Sequence, residues 1–310
     1  MKGVTIVGSY NVGLFLKGSR LPDAGETVIA DEFLESGGGK GSNQAVAASM
    51  LGAPVHLIAR IGSDAYGRDA LAMYERLGIA ADGIIVDETT HSGVSVILID
   101  ADGSNLISVV PGANLRLSNQ DLDRFDEVFL TSAIVGFQLE NDRELVRYGL
   151  RKVRDMGVPT FLDPAPAVRL PDEMLRCVDY LKPNETEAGV LTGMAVHDVE
   201  SARDAARWLL DRGVGTAIVT LGAGGLVLAT GTEVEHFPAP RVASVDSTGA
   251  GDVFSGGFLA GFAEGLPIAQ SIRYGICAAA LSTTRIGVIE SIPSRAETIE
   301  FMDARDAGAR

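Results

Sequence analysis

The chain reads as an α/β protein: a mostly parallel sheet covered by helices on both faces, with a small separate β-sheet. Two observations carry this. From residue 55 onward, short β-branched runs alternate with segments of helical spacing, the rhythm of parallel strands joined by crossover helices. Two pieces, residues 10–36 and 84–110, contain only strand and turn patterns and break that rhythm, so they are expected to meet in space as one accessory sheet. The 310 residues show no repeat and no composition break marking a linker. One domain spanning residues 1–310 is therefore expected, with the accessory sheet inserted from 10–36 and 84–110.

Taken in order, residues 4–8 form a β-branched run ending in Gly8, a buried strand that delivers its C-terminal end to a site. Gly13, Gly18, Pro22 and Gly25 punctuate the first strand-only piece. The alanine-rich run that follows Gly41 predicts a tightly packed helix. A strand is expected at 55–59 and a helix at 66–77. In the second strand-only piece, Asp100, Asp102 and Gly103 supply a hairpin turn; the later ligands of a calcium loop are missing. Strands are then expected near 128–131, 159–163, 180–183 and 216–221, with helices near 144–156, 185–192 and 202–211. A hairpin follows at 225–229 and 233–236. Two long helices, 249–264 and 268–282, close the pattern, and the polar tail 303–310 is expected to fray. Met50, Met73 and Met156 fall on apolar helical positions and belong to the core.

Composition narrows the function. Forty-one acids against 26 bases give a net charge of -15, which argues against nucleic acid or an anionic membrane as the main partner. An anionic substrate then needs a local positive patch. Cys177 and Cys277 lie far apart in apolar surroundings, as expected of buried thiols in a reducing compartment, and His56, His91, His197 and His236 are scattered, so zinc is not expected. The first residues are a short apolar run entering a glycine rather than a leader, and no stretch approaches the roughly 20 apolar residues of a membrane span. A cytoplasmic protein is expected.

The chemistry concentrates in glycine-rich stretches. Val245 to Gly256 reads V-D-S-T-G-A-G-D-V-F-S-G, and Gly249, Ala250, Gly251 and Asp252 open a helix. Unpartnered N–H groups there attract anions, and small residues leave the backbone open to a phosphate. The same residues would also suit a tightly packed helix start with a first-turn acid. The run Gly37-Gly38-Gly39-Lys40-Gly41-Ser42-Asn43 joins a strand-rich piece to a helix; Lys40 and Asn43 offer donors and acceptors to hydroxyls, or simply punctuate a turn. Glu140 follows an expected strand end, where ligands of open α/β sheets bind. Asn184 and Glu187 have the spacing of a helix cap, or alternatively face phosphates and hydrated magnesium. Thr220, Gly222 and Gly225 suit a turn beneath a ribose or phosphate, or a plain hairpin. The Walker pattern fails because Gly41 follows Lys40, the dinucleotide fingerprint fails at Gly37, Gly222 and Gly249, and no nucleophile elbow occurs.

Together these motifs resemble the ribokinase, or PfkB, family of carbohydrate kinases over nearly the whole chain. Gly38-Gly39-Lys40-Gly41-x-Asn43-Gln44-Ala45 is similar to the N-terminal signature of the family. Asp246-x-Thr248-Gly249-Ala250-Gly251-Asp252 is similar to its C-terminal signature, with Ser247 where threonine is usual, and Asn184-x-x-Glu187 matches its N-x-x-E motif.

The resemblance implies transfer of the ATP γ-phosphoryl group to a hydroxymethyl group of a sugar. Asp252 would accept the hydroxyl proton, while the N–H groups of Gly249, Ala250 and Gly251 form an anion hole. Asn11, Gly39, Lys40, Asn43 and Glu140 would contact the sugar. Asn184, Thr220, Gly222, Gly225 and Gly251 would line the ATP site, and Glu187 would hold Mg2+ through water. An activating K+ would take Asp246, the carbonyls of Thr248, Ser282, Arg285 and Gly287, and Ser291. The accessory sheet matches the lid of the family, which covers the sugar and pairs two subunits, so a homodimer is expected. The chain departs in one place: ribokinases carry N-x-D after the first strand, and here the residues are Asn11-Val12-Gly13. That leaves ribose as the first expectation and another pentose, a ketohexose or a nucleoside as alternatives that would use the space at Gly13. A non-catalytic sugar- or nucleotide-binding regulator is the rival of another class, and Asp252 within an intact G-A-G run speaks against it.

Overall fold

The computed structural model describes residues 2–231 and 233–308. Its strands are β1 (Val4–Val7), β2 (Asn11–Lys17), β3 (Glu32–Gly38), β4 (Val55–Gly62), β5 (Ile84–Asp87), β6 (Gly93–Ile99), β7 (Asn105–Val110), β8 (Ile134–Gln138), β9 (Thr160–Asp163), β10 (Tyr180–Leu181), β11 (Thr216–Thr220), β12 (Leu226–Thr230) and β13 (Glu233–Phe237). Its α-helices are α1 (Lys40–Met50), α2 (Ala65–Arg76), α3 (Asn119–Leu122), α4 (Asp126–Thr131), α5 (Arg143–Asp155), α6 (Asp172–Leu175), α7 (Glu185–Thr192), α8 (Val199–Leu210), α9 (Ala250–Glu264), α10 (Ile268–Ser282) and α11 (Arg295–Gly308). A nine-stranded sheet has the order β13-β12-β11-β10-β9-β8-β1-β4-β5. Its strands from β11 to β5 pair in parallel, and the β12–β13 hairpin adds antiparallel strands at one edge.

The strands alternate their side chains between two cores, as the period of 2 requires. Ile6, Leu57, Ile134, Phe161 and Ile218 pack on one face with residues of α1, α2, α9 and α10. Their chain neighbours Val7, Ile58, Val135, Leu162 and Val219 pack on the other with residues of α5, α7 and α8. This is the layered arrangement expected from the alternating pattern.

The second sheet has the order β3-β2-β6-β7. Its halves come from both strand-only pieces and join where β2 runs parallel to β6, with Asn11 opposite Gly93. The second piece divides, however. β5 leaves it and pairs in parallel with β4 at the edge of the large sheet, so only residues from Gly93 onward build the small sheet. A second difference lies in the apolar stretch around Val128, expected as a strand. It is the helix α4, with Asp126 and Glu127 in its first turn, and the strand is the fully buried run I-V-G-F-Q of β8. A continuous apolar window holds no periodicity that separates the two states. In the tail, the helix α11 continues to Gly308; residues 309–310 lie outside the described residues. Cys177 and Cys277 form no disulfide, and no described helix is long and apolar enough to cross a membrane.

α9 lies close against α1, and glycine makes the approach possible. A Cβ at Gly256 would overlap the Ala47 Cβ and stand 2.7 Å from the Ala48 nitrogen. Glycine to alanine inside a helix ordinarily gains up to about 1 kcal/mol. Here overpacking reverses the sign: Gly256→Ala is expected to lower unfolding free energy by about 1–3 kcal/mol in urea titrations, and a stabilised variant would contradict this packing.

Candidate functional site

Ser9 lies just beyond β1, Gln138 and Asp163 end β8 and β9, and Lys182 follows β10. All stand at the carboxyl ends of parallel strands, where open α/β sheets present their ligands. The N-termini of α1 and α9 face the same place. Gly39 precedes α1 with φ 89° and Gly249 precedes α9 with φ 76°, left-handed conformations that glycine adopts without cost.

Asp252, 6% exposed, sits where these elements converge. Its Oδ2 accepts from Asn43 Nδ2 at 2.9 Å and its Oδ1 from Gln44 Nε2 at 3.0 Å. Gln44 Nε2 also donates to Asp163 Oδ2 at 2.8 Å, and Gln138 Nε2 donates to Gln44 Oε1 at 2.7 Å. Lys182 Nζ reaches the same Asp163 oxygen at 2.9 Å and the Gly251 carbonyl at 3.5 Å. Asn43 Oδ1 is buried without a hydrogen-bond partner, and so stays open to a donor on a ligand.

Beside this network Glu140 Oε2 accepts from Ser9 Oγ at 2.5 Å, the Lys40 N–H at 2.9 Å and Asn11 Nδ2 at 3.3 Å. Asn114 in turn donates to Asn11 Oδ1 at 2.9 Å and exchanges hydrogen bonds with the Tyr10 backbone. The Asn11 amide is thereby fixed with its Nδ2 toward Glu140. Burial pushes the Glu140 carboxyl up despite its donors. Asp252, followed by Asp163, Glu140 and Glu187, raises the Lys40 ammonium against the opposing effect of burial. The site is a cluster of carboxylates around two lysines, Lys182 buried and Lys40 partly buried, and Lys40 supplies the local positive charge that the acidic composition required.

Asn184 and Glu187 form a reciprocal capping box at α7, with both bonds at 2.8 Å. Burial, then the charge of Asp163, raises the Glu187 carboxyl. Thr220 joins Asn184 through a parallel bridge, and the Leu221 N–H donates to the Gly225 carbonyl across the turn that contains Gly222. A Cβ at Gly225 would overlap the Phe237 carbonyl. Capping and phosphate-facing roles are thus compatible in one loop cluster.

The residues expected around K+ fall on two facing loops. The Thr248 N–H donates to Asp246 Oδ1 at 2.9 Å and the Gly287 N–H to Asp246 Oδ2 at 3.2 Å, while the Val245 and Asp246 N–H groups both reach the Thr283 carbonyl. Ser282 and Ser291 are each 1% exposed, and their hydroxyls donate to backbone carbonyls, which leaves oxygen lone pairs. Oxygen donors of this kind fit a hard monovalent cation. The Arg285 side chain reaches Glu297, which leaves its carbonyl for the role expected of it.

At Gly13 a Cβ would stand 2.7 Å from Phe15 Cε2, the outer edge of a partly buried ring on the same strand face, so a group placed there requires that ring to shift. Sequence reasoning passed over Gln44, Asn114, Gln138, Asp163 and Lys182 as site residues. For Asp163 and Lys182 the signal was available, since each is a polar residue at an expected strand end; Gln138 ends a strand that lies beyond the one expected at 128–131.

A family model described as pfkB family carbohydrate kinase matches residues 1–295. The chain belongs to that family. It is 36% identical over 302 residues to the ribokinase of Haemophilus influenzae, covering 97% of this chain and 99% of the relative. It is 35% identical over 304 residues to the deoxyribokinase of Salmonella typhi, covering 98% and 99%. Its fold superposes with a TM-score of 0.89 on the ribokinase of Arabidopsis thaliana solved with ribose and ATP, at 31% identity, covering 97% of this chain and 98% of that one. The protein is a ribokinase-like sugar kinase with the lid-bearing α/β fold of its relatives.

Glu297 fixes the loop that carries Arg285 and Gly287. It accepts from Ser294 N and Oγ, both at 2.8 Å, and from Arg285, and these bonds pull its carboxyl down from 4.5 to about 2. A depressed carboxylate contributes stability above its unfolded value and loses it as pH falls through the folded one. The stability difference between wild type and Glu297→Gln is therefore expected to be full above pH 4.5 and to vanish towards pH 2, as read by thermal unfolding across pH. A difference that grows on acidification would refute the assignment.

Proposed function

We propose that this sugar kinase transfers the γ-phosphoryl group of ATP to the hydroxymethyl group of a pentose, with ribose the first candidate. The observation that carries the reading is the placement of Asp252. One buried carboxylate stands in the first turn of α9, beside the N–H groups of Gly249, Ala250 and Gly251, with both oxygens aimed by donors from α1. In this reading Asp252 accepts the proton of the attacking hydroxyl, and the N–H groups of Gly249 and Gly251, joined by that of Ala250 when it exchanges the Ser247 carbonyl at 3.2 Å for the ligand, hold the charge that develops on the phosphoryl oxygens. A weak base suffices, because positioning and charge stabilisation dominate a loose phosphoryl-transfer transition state. Asn11, Gly39, Lys40, Asn43 and Glu140 bind the sugar; Asn184, Thr220, Gly222, Gly225 and Gly251 bind ATP. Mg2+ would neutralise charge on the phosphates, with Glu187 holding its water shell. K+ would lie between the loops of Asp246 and Gly287, ordering the anion hole from behind.

A second pentose, one lacking a hydroxyl, has specific support. Gly13 offers no acceptor and Phe15 covers its place with an aromatic ring, and a pocket without an acceptor discriminates little against a missing hydroxyl. Among the relatives stands a deoxyribokinase. We further propose that the small sheet closes over the sugar to exclude water and pairs two copies of the chain. Leu34, Ile107 and Val109 on one face of the sheet and Phe33 and Leu106 on the other, with Phe33 and Ile107 64% and 61% exposed, leave apolar side chains open to a second copy. Two cysteines that form no disulfide suit a cytoplasmic location.

Sugar-dependent ADP release across ribose, deoxyribose, ketohexoses and nucleosides tests the reading; stimulation by a nucleoside and by no sugar would refute it. Asp252→Asn is expected to lower kcat by about 1,000-fold or more with ATP binding retained, and unchanged turnover would remove Asp252 from the base role. Rates are expected to be higher in potassium than in tetramethylammonium buffer, and equal rates would count against the cation site.

A further inference from the structure

Behind Asp252 lies an ion pair that the roles above leave unused. Lys182 and Asp163, with side chains 5% and 1% exposed, meet at 2.9 Å, and the link from them to Asp252 is a single amide. Gln44 donates one N–H to Asp163 Oδ2 and the other to Asp252 Oδ1. Gln138 donates to the Gln44 carbonyl, so the amide cannot turn over without losing all these bonds. Two carboxylates are thus held on one NH2 group, with Lys182 balancing the one that is farther from the sugar side.

We propose that Asp163 and Lys182 are positioning residues that act through Gln44: they aim Asp252 at the sugar hydroxyl and set the proton concentration at which it stops accepting a proton. The physical basis is charge arithmetic in a dry site. Interactions between buried charges are screened far less than those at a surface, and a neighbouring anion or cation moves a carboxylate in opposite directions. The charged groups around Asp252 are Lys40 on α1, Glu140 after β8, Asp163 at the end of β9, Lys182 after β10 and Glu187 on α7. Of these, Asp163 alone shares a donor with Asp252. Asp163 also suits neutralisation without loss of shape. Its Oδ1 is buried without a partner, so an amide nitrogen can stand there while the remaining oxygen keeps its bonds to Gln44 and Lys182.

The inference rests on the reading of Asp252 as the base. Its test compares the kcat–pH profiles of wild type, Asp163→Asn, Lys182→Met and the double variant, at saturating sugar and MgATP, with Asp252→Asn alongside. Asp163→Asn removes an anion and leaves Lys182 uncompensated, so the acid limb is expected about one unit lower in pH, a tenfold change in proton concentration. Lys182→Met leaves two carboxylates on one amide, and the limb is expected to move up by about as much. The double variant, neutral at both positions, is expected to return to the wild-type limb. A residue that served packing alone would give no such sign pattern. Limbs that coincide, or that move the same way in both single variants, would overturn the proposal, as would a Lys182→Met variant that only raises KM for ATP. Should Lys182→Met fail to fold, the contrast between Asp163→Asn and the double variant decides in the same way. If Asp252→Asn keeps full turnover, the base reading itself falls; if it is inactive and the limbs coincide, only the role of Asp163 and Lys182 falls.

Discussion

The structure turns on one buried carboxylate. Taking Asp252 out of water costs several kcal/mol unless donors replace the solvent, and the fold supplies them from another helix. Asn43 and Gln44 stand in the first turns of α1 and Asp252 in the first turn of α9, so the two helices must start side by side. That constraint explains the small residues in both. Gly256 lets α9 rest on Ala47 and Ala48, and Gly41 leaves no room for a Cβ against Gly8 and Ser9. A bulkier stripe would separate the helix starts and leave the carboxylate without its donors.

The same constraint links the large sheet to the small one. β1 ends at Val7 and the chain runs through Ser9 almost at once into β2, whose first residue is Asn11. Ser9 and Asn11 both donate to Glu140, and Asn114 clamps the intervening Tyr10 backbone. The junction between the sheets is therefore also the part of the site that contacts the sugar in our reading, so a movement of the small sheet would be felt directly at Glu140 and at the α1 N-terminus. In our reading the junction that contacts the sugar also ties the small sheet to the large one, while Gln138, Asp163 and Lys182 stand at the ends of the parallel strands.

Much of this was legible in the sequence. The βα alternation gave the layered sheet, because each strand had to feed apolar side chains to two cores. The glycines at 39, 249 and 251 marked the starts of the two helices that meet at Asp252, and the joint order of the motifs separated a family signature from helix caps and turns that look alike one at a time. Other features were hidden for physical reasons. A continuous apolar window around Val128 and Ile134 holds no period, so helix and strand could not be told apart there. β5 carries the same local signals as the small-sheet strands, and only its pairing with β4 assigns it. Phe15 covering Gly13 depends on a side chain folding back over its own strand. Gln44 was in view within the motif, yet its role depends on Asp163 and Lys182, which reach it only through the sheet.

The account stands on the claim that Asp252 serves a primary hydroxyl. The most direct measurement is the 31P NMR spectrum of the sugar product formed from ATP. A phosphomonoester on a CH2 group is split by two equivalent or near-equivalent protons, and the account predicts that signal in a one-to-one ratio with ADP. A product phosphorylated at a secondary or anomeric oxygen, or inorganic phosphate as the main product, would contradict it.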